Sequence, residues 1–592
     1  MQRQSRRYLS SFSFSSGAGA VKQVTKANFS PAVGELKDRI TNSDFIAVSS
    51  QKTGVSSAPW TRILPIDTSG TAYLKAKAAA ERFELLQFAV CPFKIQGSKI
   101  IASPYNFHLF PRDELNIGMP SYSFSCQTSC LTSMAREGFD FNVCIYDGIS
   151  YLSRVQESAS KGLVGNPIPG ICQVTSASSP SVADTIFMER IKSRVRHWRD
   201  ACHNSNKTTD DALVKSLRKL ILGGEIYGSR PCMNIDVCND SQVQLVVQML
   251  SKFSDDLVPL IISDMGGGPK SVRIVLTSSE EDKILLKNEL QNLEEEQCKQ
   301  VRGFRSVIDF ISSSQKPLVA YNCLSDFTFI HSKFLAPLPP NMTEFMCSLR
   351  TVFSNVLDLN HLLKEIGPLK RANTSHGTNG KDHAHNVLRI TDLFAKLSSI
   401  LKIAPANGTE VGQYARTVQD YANIFYPCSS NSLQDPVDEN ASGEMETLRK
   451  VRTESLIFLW GFRSGISAGV LKSSLHGVHD VFSEDFDVRL VDKSCAIVVF
   501  WRPGLAEALL EDMASGAANG SASLREMISE GLKVAGYGTY MRVCRLGLWE
   551  EKLADSLDKA LSELSSDLLM NNAMDTSEIY GGSDLMINLD DL

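Results

Sequence analysis

No stretch of this 592-residue chain stays apolar for the ~18 residues that a membrane-crossing helix needs, so no membrane partner is expected. Its fourteen cysteines, scattered from Cys91 to Cys544, include no Cys-x-x-Cys pair. The nearest approach, Cys126 and Cys130, has no matching pair downstream, which argues against a zinc site and for a reducing compartment. An excess of base is missing too. Sixty-one Lys and Arg stand against 66 Asp and Glu, giving a net charge of −5 and a pI of about 6.1. This balance argues against a strong electrostatic grip on RNA or DNA and leaves room for a local basic groove. Acid, in turn, is absent before Glu35, in a segment that carries Arg3, Arg6, Arg7, Lys22 and Lys26 and a Ser/Phe stretch from Ser10 to Ser16. That composition is that of an organellar transit peptide, and mitochondria fit it better than a secretory route. A basic disordered tail, with the protein in nucleus or cytoplasm, is the alternative.

At 43% hydrophobic content the chain can bury several cores and is expected to hold two to four domains. Residues 1–27 read as the transit-like disordered segment. From 28 to 156 the pattern is rich in strands, including Phe45–Val48, Leu86–Phe93, Lys99–Ala102 and Phe107–Phe110. Residues 157–182 are rich in Ser, Gly and Pro and read as a linker. A compact α/β insert follows over 183–285, opening on an amphipathic helix whose Arg190, Arg194 and Arg196 belong to the most basic patch in the chain. Such a patch either meets RNA phosphates or is a solvated helix face. A second α/β stretch runs over 286–404, a polar linker over 405–448, and a βαββαβ rhythm over 449–550, with the fourth strand read at Tyr540–Leu546. The aromatics Phe458, Trp460, Phe500 and Trp501 on its central strands are candidates for base stacking, or half of them are core. Residues 551–592 form an acidic tail, with seven acidic residues and no basic one after Lys559, expected to be disordered or to bind a partner.

Asp44 to Trp60 holds the most informative absence. Phe45–Val48 is a short apolar run of β-formers closed by small residues. Side chains at i and i+2 beyond such a strand share one face, and in many nucleases that pair is Asp and Glu, the start of a two-metal site. Here the pair is Ser49 and Gln51, both neutral.

Six phrases carry a resemblance. They are Ala58-Pro59-Trp60; the run from Gln87 to Phe93 (Gln-Phe-Ala-Val-Cys-Pro-Phe); Gly138-Phe139-Asp140-Phe141-Asn142; Gly148-Ile149-Ser150-Tyr151-Leu152; the run from Gly303 to Phe310; and the run from Ser332 to Pro339. In this order the chain resembles the poly(A)-specific ribonuclease family of deadenylases, its plant members in particular, within the CAF1/DEDD deadenylases. The resemblance implies an RNase H-like exonuclease fold, a mixed sheet flanked by helices, interrupted by an R3H-like α/β insert and followed by an RNA-recognition-motif-like α+β domain. It also implies removal of adenylates from the 3′ end of poly(A) RNA with two divalent ions, Mg2+, held by an Asp-x-Glu pair, a second Asp and a third Asp. A nearby His would activate water. Family members form homodimers.

Carried over residue by residue, the Asp-x-Glu pair falls on Ser49 and Gln51. The second motif falls on the run from Val319 to Asp326, where Asp326 matches the metal ligand and Tyr321 stands where a His is usual. The third falls on the run from Gly380 to Val387, with Asp382 at the base's position and Val387 at the last carboxylate's. Asp382, His383 and His385 could act as substitute ligands, or the histidines are ordinary helix residues. Three readings follow: a relative that has lost two-metal catalysis and acts by binding RNA or by partnering an active family member, in a homodimer or a heterodimer; an active exoribonuclease with a relocated site; and a scaffold for which RNA is irrelevant.

Overall fold

The computed structural model describes residues 13–14, 21–97, 99–111, 122–163, 182–204, 230–238, 240–262, 271–366, 385–403, 417–426, 449–515, 522–567 and 584–587. The chain divides into two compact units. One comprises Met1–Phe110, Phe124–Ile149 and Val307–Leu592, and the other Pro111–Ser123 and Ser150–Ser306.

The first unit is built on an eight-stranded mixed sheet. Its strands in the N-terminal part are β1 (Ser13–Phe14), β2 (Lys22–Val24), β3 (Phe45–Lys52), β4 (Leu85–Gln96), β5 (Lys99–Ala102) and β6 (Tyr105–His108). The long β4 pairs antiparallel with β3 along one edge and with β5 and β6 along the other. β2 runs parallel to β6, and Val24 is fully buried. The expected disordered segment of residues 1–27 is therefore corrected at Lys22–Val24 and at Ser13–Phe14, which pairs with β5. Apolar Val21 and Val24 flank the polar pair and are what the sheet edge buries.

The second unit contains β7 (Cys232–Asp236), β8 (Leu257–Ile262) and β9 (Ser271–Leu276), an antiparallel sheet with β9 in the middle. The helices Val182–Asn204 and Asp240–Phe253 cover it, closing a core of Ile191, Val195, Val243, Val246, Leu250, Val272 and Ile274. The unit is wider than the 183–285 expected for the insert. Of the expected linker at 157–182, the start is helical, within Arg154–Leu163, while 164–181 lies outside the described residues.

The chain re-enters the main sheet through β10 (Leu318–Ala320), parallel to β3, and β11 (Val356–Asp358), parallel to β10. These strands are short and wholly apolar apart from Asp358, as strands buried on both faces are. Helix Asn386–Leu401 lays Val387, Ile390, Phe394 and Leu397 on Phe45, Ala47, Cys91 and Phe93. The stacked rings of Phe45 and Phe93, 5.5 Å apart, fix the β3–β4 register at its apolar end.

The C-terminal layer opens on β12 (Arg449–Arg452), followed by β13 (Leu456–Trp460), β14 (Phe486–Leu490), β15 (Cys495–Phe500) and β16 (Lys533–Gly536), the last four forming an antiparallel sheet in the order β14-β15-β13-β16. The fourth strand expected at Tyr540–Leu546 is a helix, Tyr537–Leu546. Its buried Tyr537, Tyr540, Val543 and Cys544 recur at helical spacing, and Gly547 ends it at φ +68°. The tail is also folded in part: helix Leu553–Asp567 packs into the core, and β17 (Asp584–Ile587) pairs antiparallel with β12, with Leu585 buried.

Both faces of this sheet are covered. Ile457, Leu459, Ala496, Val498 and Phe500 pack under helices Ala468–Leu475 and Leu505–Ala514. On the other face Phe458, Trp460, Cys495, Ile497 and Val499 meet helix Tyr537–Leu546 and, from the body, Ala58, Trp60, Leu64 and Ile66. A buried polar knot completes this contact. Asp67 accepts from Lys75 Nζ (2.8 Å), from Tyr540 Oη (2.6 Å) and from the backbone N–H of Leu64 (2.6 Å), while Tyr537 donates to the Ile66 carbonyl (2.8 Å).

Candidate functional site

Two local decisions place the site. The strand β3 ends where its apolar residues give way to Ser49, Ser50, Gln51 and Lys52, with a register irregularity between the last two. Beyond β10, Asn322 caps the helix Cys323–Ile330 by accepting from the Ser325 backbone N–H (3.5 Å). This puts Asp326 in the first helical turn, where the helix dipole favours a carboxylate.

There the retained carboxylate is already engaged. Lys52 Nζ lies 2.8 Å from Asp326 Oδ1 and 2.7 Å from Ser325 Oγ, and Ser50 Oγ donates to the same Asp326 oxygen at 2.6 Å. The ammonium also sits over the Phe329 ring, 4.9 Å from its centre. Both members of the pair are largely withdrawn from water, with side chains 8% and 11% exposed. Lys52 and Ser50 are the partners that reading by motif passes over, because they stand between and just beyond the family's ligand positions. A lysine directly after Gln51 was the available signal.

Ser49 and Gln51 continue the face of β3 that carries Phe45 and Ala47. Pairing sets Ser49 opposite Ala89 and Gln51 opposite Gln87, and then Asn106 opposite Ala89 and His108 opposite Gln87. The face thus runs from an apolar core into a neutral polar row. Gln87 lies 3.4 Å from His108 Nδ1, and Gln23 Oε1 accepts from Asn106 (2.8 Å) and lies 3.1 Å from His108 Nε2. Val387 is fully buried in the hydrophobic cluster with Phe45, Ala47 and Val319. Tyr321 packs half-buried on the same cluster. Asp382 and His383 lie outside the described residues, and His385 stands just before the helix Asn386–Leu401.

A second acid lies nearby in the fold, at the end of β11. Asp358 is fully buried and accepts from the backbone N–H of Asn360 and of Tyr426, each at 3.0 Å. Burial pushes its carboxyl up to about 8, and the charge of Asp326 adds in the same direction.

The two-ion site implied by the resemblance can be tested on these donors. Two Mg2+ bring four positive charges and demand several hard anionic oxygens in near-octahedral order. The family positions offer a hydroxyl, an amide, an isopropyl group and one carboxylate that a lysine already neutralises. Among the described residues no group of three or more His, Cys, Asp or Glu is placed to hold a metal ion. The residues present do not fit the pair.

The remaining candidates separate sharply. Phe458, Trp460 and Phe500 are core residues, at most 2% exposed, which corrects their reading as stacking platforms. Phe458 stacks on Tyr540 with ring centres 4.8 Å apart, Trp460 donates to Asp558 (3.0 Å), and Trp501, half-buried, donates to Asp487 (3.1 Å). In the second unit Arg190 and Arg194 are exposed one turn apart, with no carboxylate partner among the described residues, and exposed Arg196 lies over the Phe253 ring at 5.7 Å. Arg199 is instead tied to Asp256 at 2.8 Å.

Residues 24–479 match the model of the CAF1 family ribonucleases. An Arabidopsis thaliana protein described as poly(A)-specific ribonuclease PARN-like is 49% identical over 629 aligned positions, covering 99% of this chain and 100% of that one. The Arabidopsis thaliana poly(A)-specific ribonuclease PARN is 32% identical over 372 positions, 60% of this chain and 54% of that one. Among solved structures, S. pombe Pop2p in its Mg2+- and Mn2+-bound form overlaps 69% of this chain and 100% of that one, at 9% identity and a TM-score of 0.31. With most of its length matched by one family model and nearly all of it by a PARN-like relative, the chain belongs to the CAF1 ribonuclease family, on its poly(A)-specific ribonuclease branch.

Proposed function

We propose that the chain is a deadenylase-family protein that has lost two-metal catalysis and works by binding poly(A) RNA, alone or paired with an active family member. The donor set carries this reading: Ser49, Gln51 and Val387 bring no charge to positions where the family needs carboxylates. A divalent metal is expected for the family, and in an active member it would polarise the scissile phosphate and supply the attacking hydroxide.

Phosphate contact is assigned to the inserted helix, where Arg190, Arg194 and Arg196 give exposed positive charge in an otherwise acidic chain. The R3H-like identity of the insert and the RNA-recognition-like identity of the C-terminal layer belong to the same proposal, the latter as a structural layer with both faces occupied. The acid-free N-terminus supports a mitochondrial location; a reporter fused to residues 1–20, which end before β2, should mark mitochondria, and diffuse signal rejects the assignment.

The test is incubation of purified protein with labelled poly(A) and Mg2+ or Mn2+, beside Asp326→Ala. Unchanged RNA that is nevertheless retained on a filter at low salt supports the reading. Shortening that Asp326→Ala abolishes would establish an active enzyme with a relocated site, and failure to retain RNA at any salt would favour a scaffold.

A further inference from the structure

We propose that Lys52 is the resident cation of this site, and that its ammonium closes Asp326 to divalent ions for a reason separate from the missing carboxylates. The proposal rests on the reading of the chain as a non-catalytic family member and adds to it a cause of metal exclusion. An ammonium has three N–H donors. Here Asp326 Oδ1 and Ser325 Oγ take hydrogen bonds at 2.8 and 2.7 Å, and the face of Phe329 receives the cation at 4.9 Å.

One oxygen of the carboxylate, Oδ1, is equally committed. Ser50 donates to the oxygen that Lys52 bonds, so a metal ion seeking that oxygen meets a hydroxyl hydrogen and a positive charge. The pair is also withdrawn from water, where like-charge repulsion between an ammonium and an arriving dication is poorly screened. Restoring the Asp-x-Glu pair alone would therefore leave Asp326 bonded to Lys52, and the ion one carboxylate short.

This separates the two causes experimentally. The full-length protein is compared with Ser49→Asp/Gln51→Glu and with Ser49→Asp/Gln51→Glu/Lys52→Met, and Mn2+ binding is followed by calorimetry and by the shift of the melting temperature. The triple variant is expected to bind Mn2+ at least 100-fold more tightly than the double variant and to melt several degrees higher with Mn2+ than without. A folded double variant that binds Mn2+ as tightly as the triple, or a folded triple variant that binds none, overturns the role of Lys52 and leaves the non-catalytic reading intact. Mn2+ binding together with poly(A) shortening by the unmodified chain overturns that reading instead.

A second measurement serves if the triple variant misfolds. Lys52→Met alone should lower the melting temperature, and Lys52→Met/Asp326→Asn should recover part of the loss. Equal melting of Lys52→Met and the unmodified chain overturns the charge-balancing role.

Discussion

Asp67 and Lys75 are the most deeply withdrawn ion pair among the described residues of the body, with side chains 0% and 1% exposed. Lys75 also donates to the Arg62 carbonyl at 2.8 Å and lies over the Tyr540 ring at 5.3 Å. Removing the cation leaves a buried carboxylate uncompensated, so Lys75→Met should cost about 3–5 kcal/mol in urea unfolding. Tyr540→Phe removes one donor from the same carboxylate and should cost about 1–3 kcal/mol. Asp358 gives a pH signature. Its folded carboxyl titrates near 8 and an unfolded one near 3.8, so between these values the folded state holds the extra proton. Stability contributed by this group is present below about pH 4 and is lost as pH rises to about 8. Asp358→Asn should melt lower, because its amide cannot accept both backbone N–H groups, and should flatten the decline of melting temperature between pH 5 and 8. At this scale the motif positions Ser49, Gln51, Asp326 and Val387 were legible in the sequence. The Lys52–Asp326 contact was not, since 274 residues separate its partners and nothing local couples them.

The βαββαβ rhythm located three strands of the C-terminal sheet, β13, β14 and β15, and left open which face was buried, because both are. When Leu456, Phe458 and Trp460 enter one core and Ile457 and Leu459 another, every position is apolar and alternation carries no signal. Trp460→Ala should therefore lower stability by about 3–5 kcal/mol and leave adenylate binding by the folded protein unchanged, as measured by urea unfolding and filter retention. The helix Val182–Asn204 should behave in the opposite way. Arg190→Ala/Arg194→Ala removes two exposed charges, and should leave melting within a degree or so while reducing the slope of log affinity against log salt by about 1.4. The helix at Tyr537–Leu546 was misread as a strand because its Tyr, Thr and Val residues are β-formers, and tertiary packing of one helical face outweighs that preference.

In the body as a whole, one hydrophobic cluster unites Ala58, Trp60, Leu64 and Ile66 with Val451, Phe458, Trp460, Tyr540, Leu557 and Leu585. Trp60 is held at its polar end by the Glu550 carbonyl (2.9 Å) and flanked by Trp549, ring centres 5.7 Å apart. A chain cut after residue 448 should expose this cluster and aggregate, to be checked by size-exclusion chromatography beside the full chain. The composition shift that suggested a linker over 405–448 misled at 417–426, where Val418 and Tyr421 are buried in the core with Phe394 and Leu357. The merging of the C-terminal layer with the body was not legible, because the Ala58–Ile66 segment that receives it looks like an ordinary loop.

That layer has a consequence for how the molecule is assembled in time. The hydrogen bonds of Trp60 to Glu550, of Tyr540 to Asp67 and of Tyr537 to Ile66 span 490, 473 and 471 residues. Closing such loops charges the chain its entropy before any contact repays it, which makes folding slow. During synthesis Trp60, Leu64 and Ile66 emerge several hundred residues ahead of the partners that cover them, with Asp67 and Lys75 waiting beside them for Tyr540. The body spends that interval with an uncovered apolar face, and its yield in a cell should depend on chaperones more than its final stability would suggest.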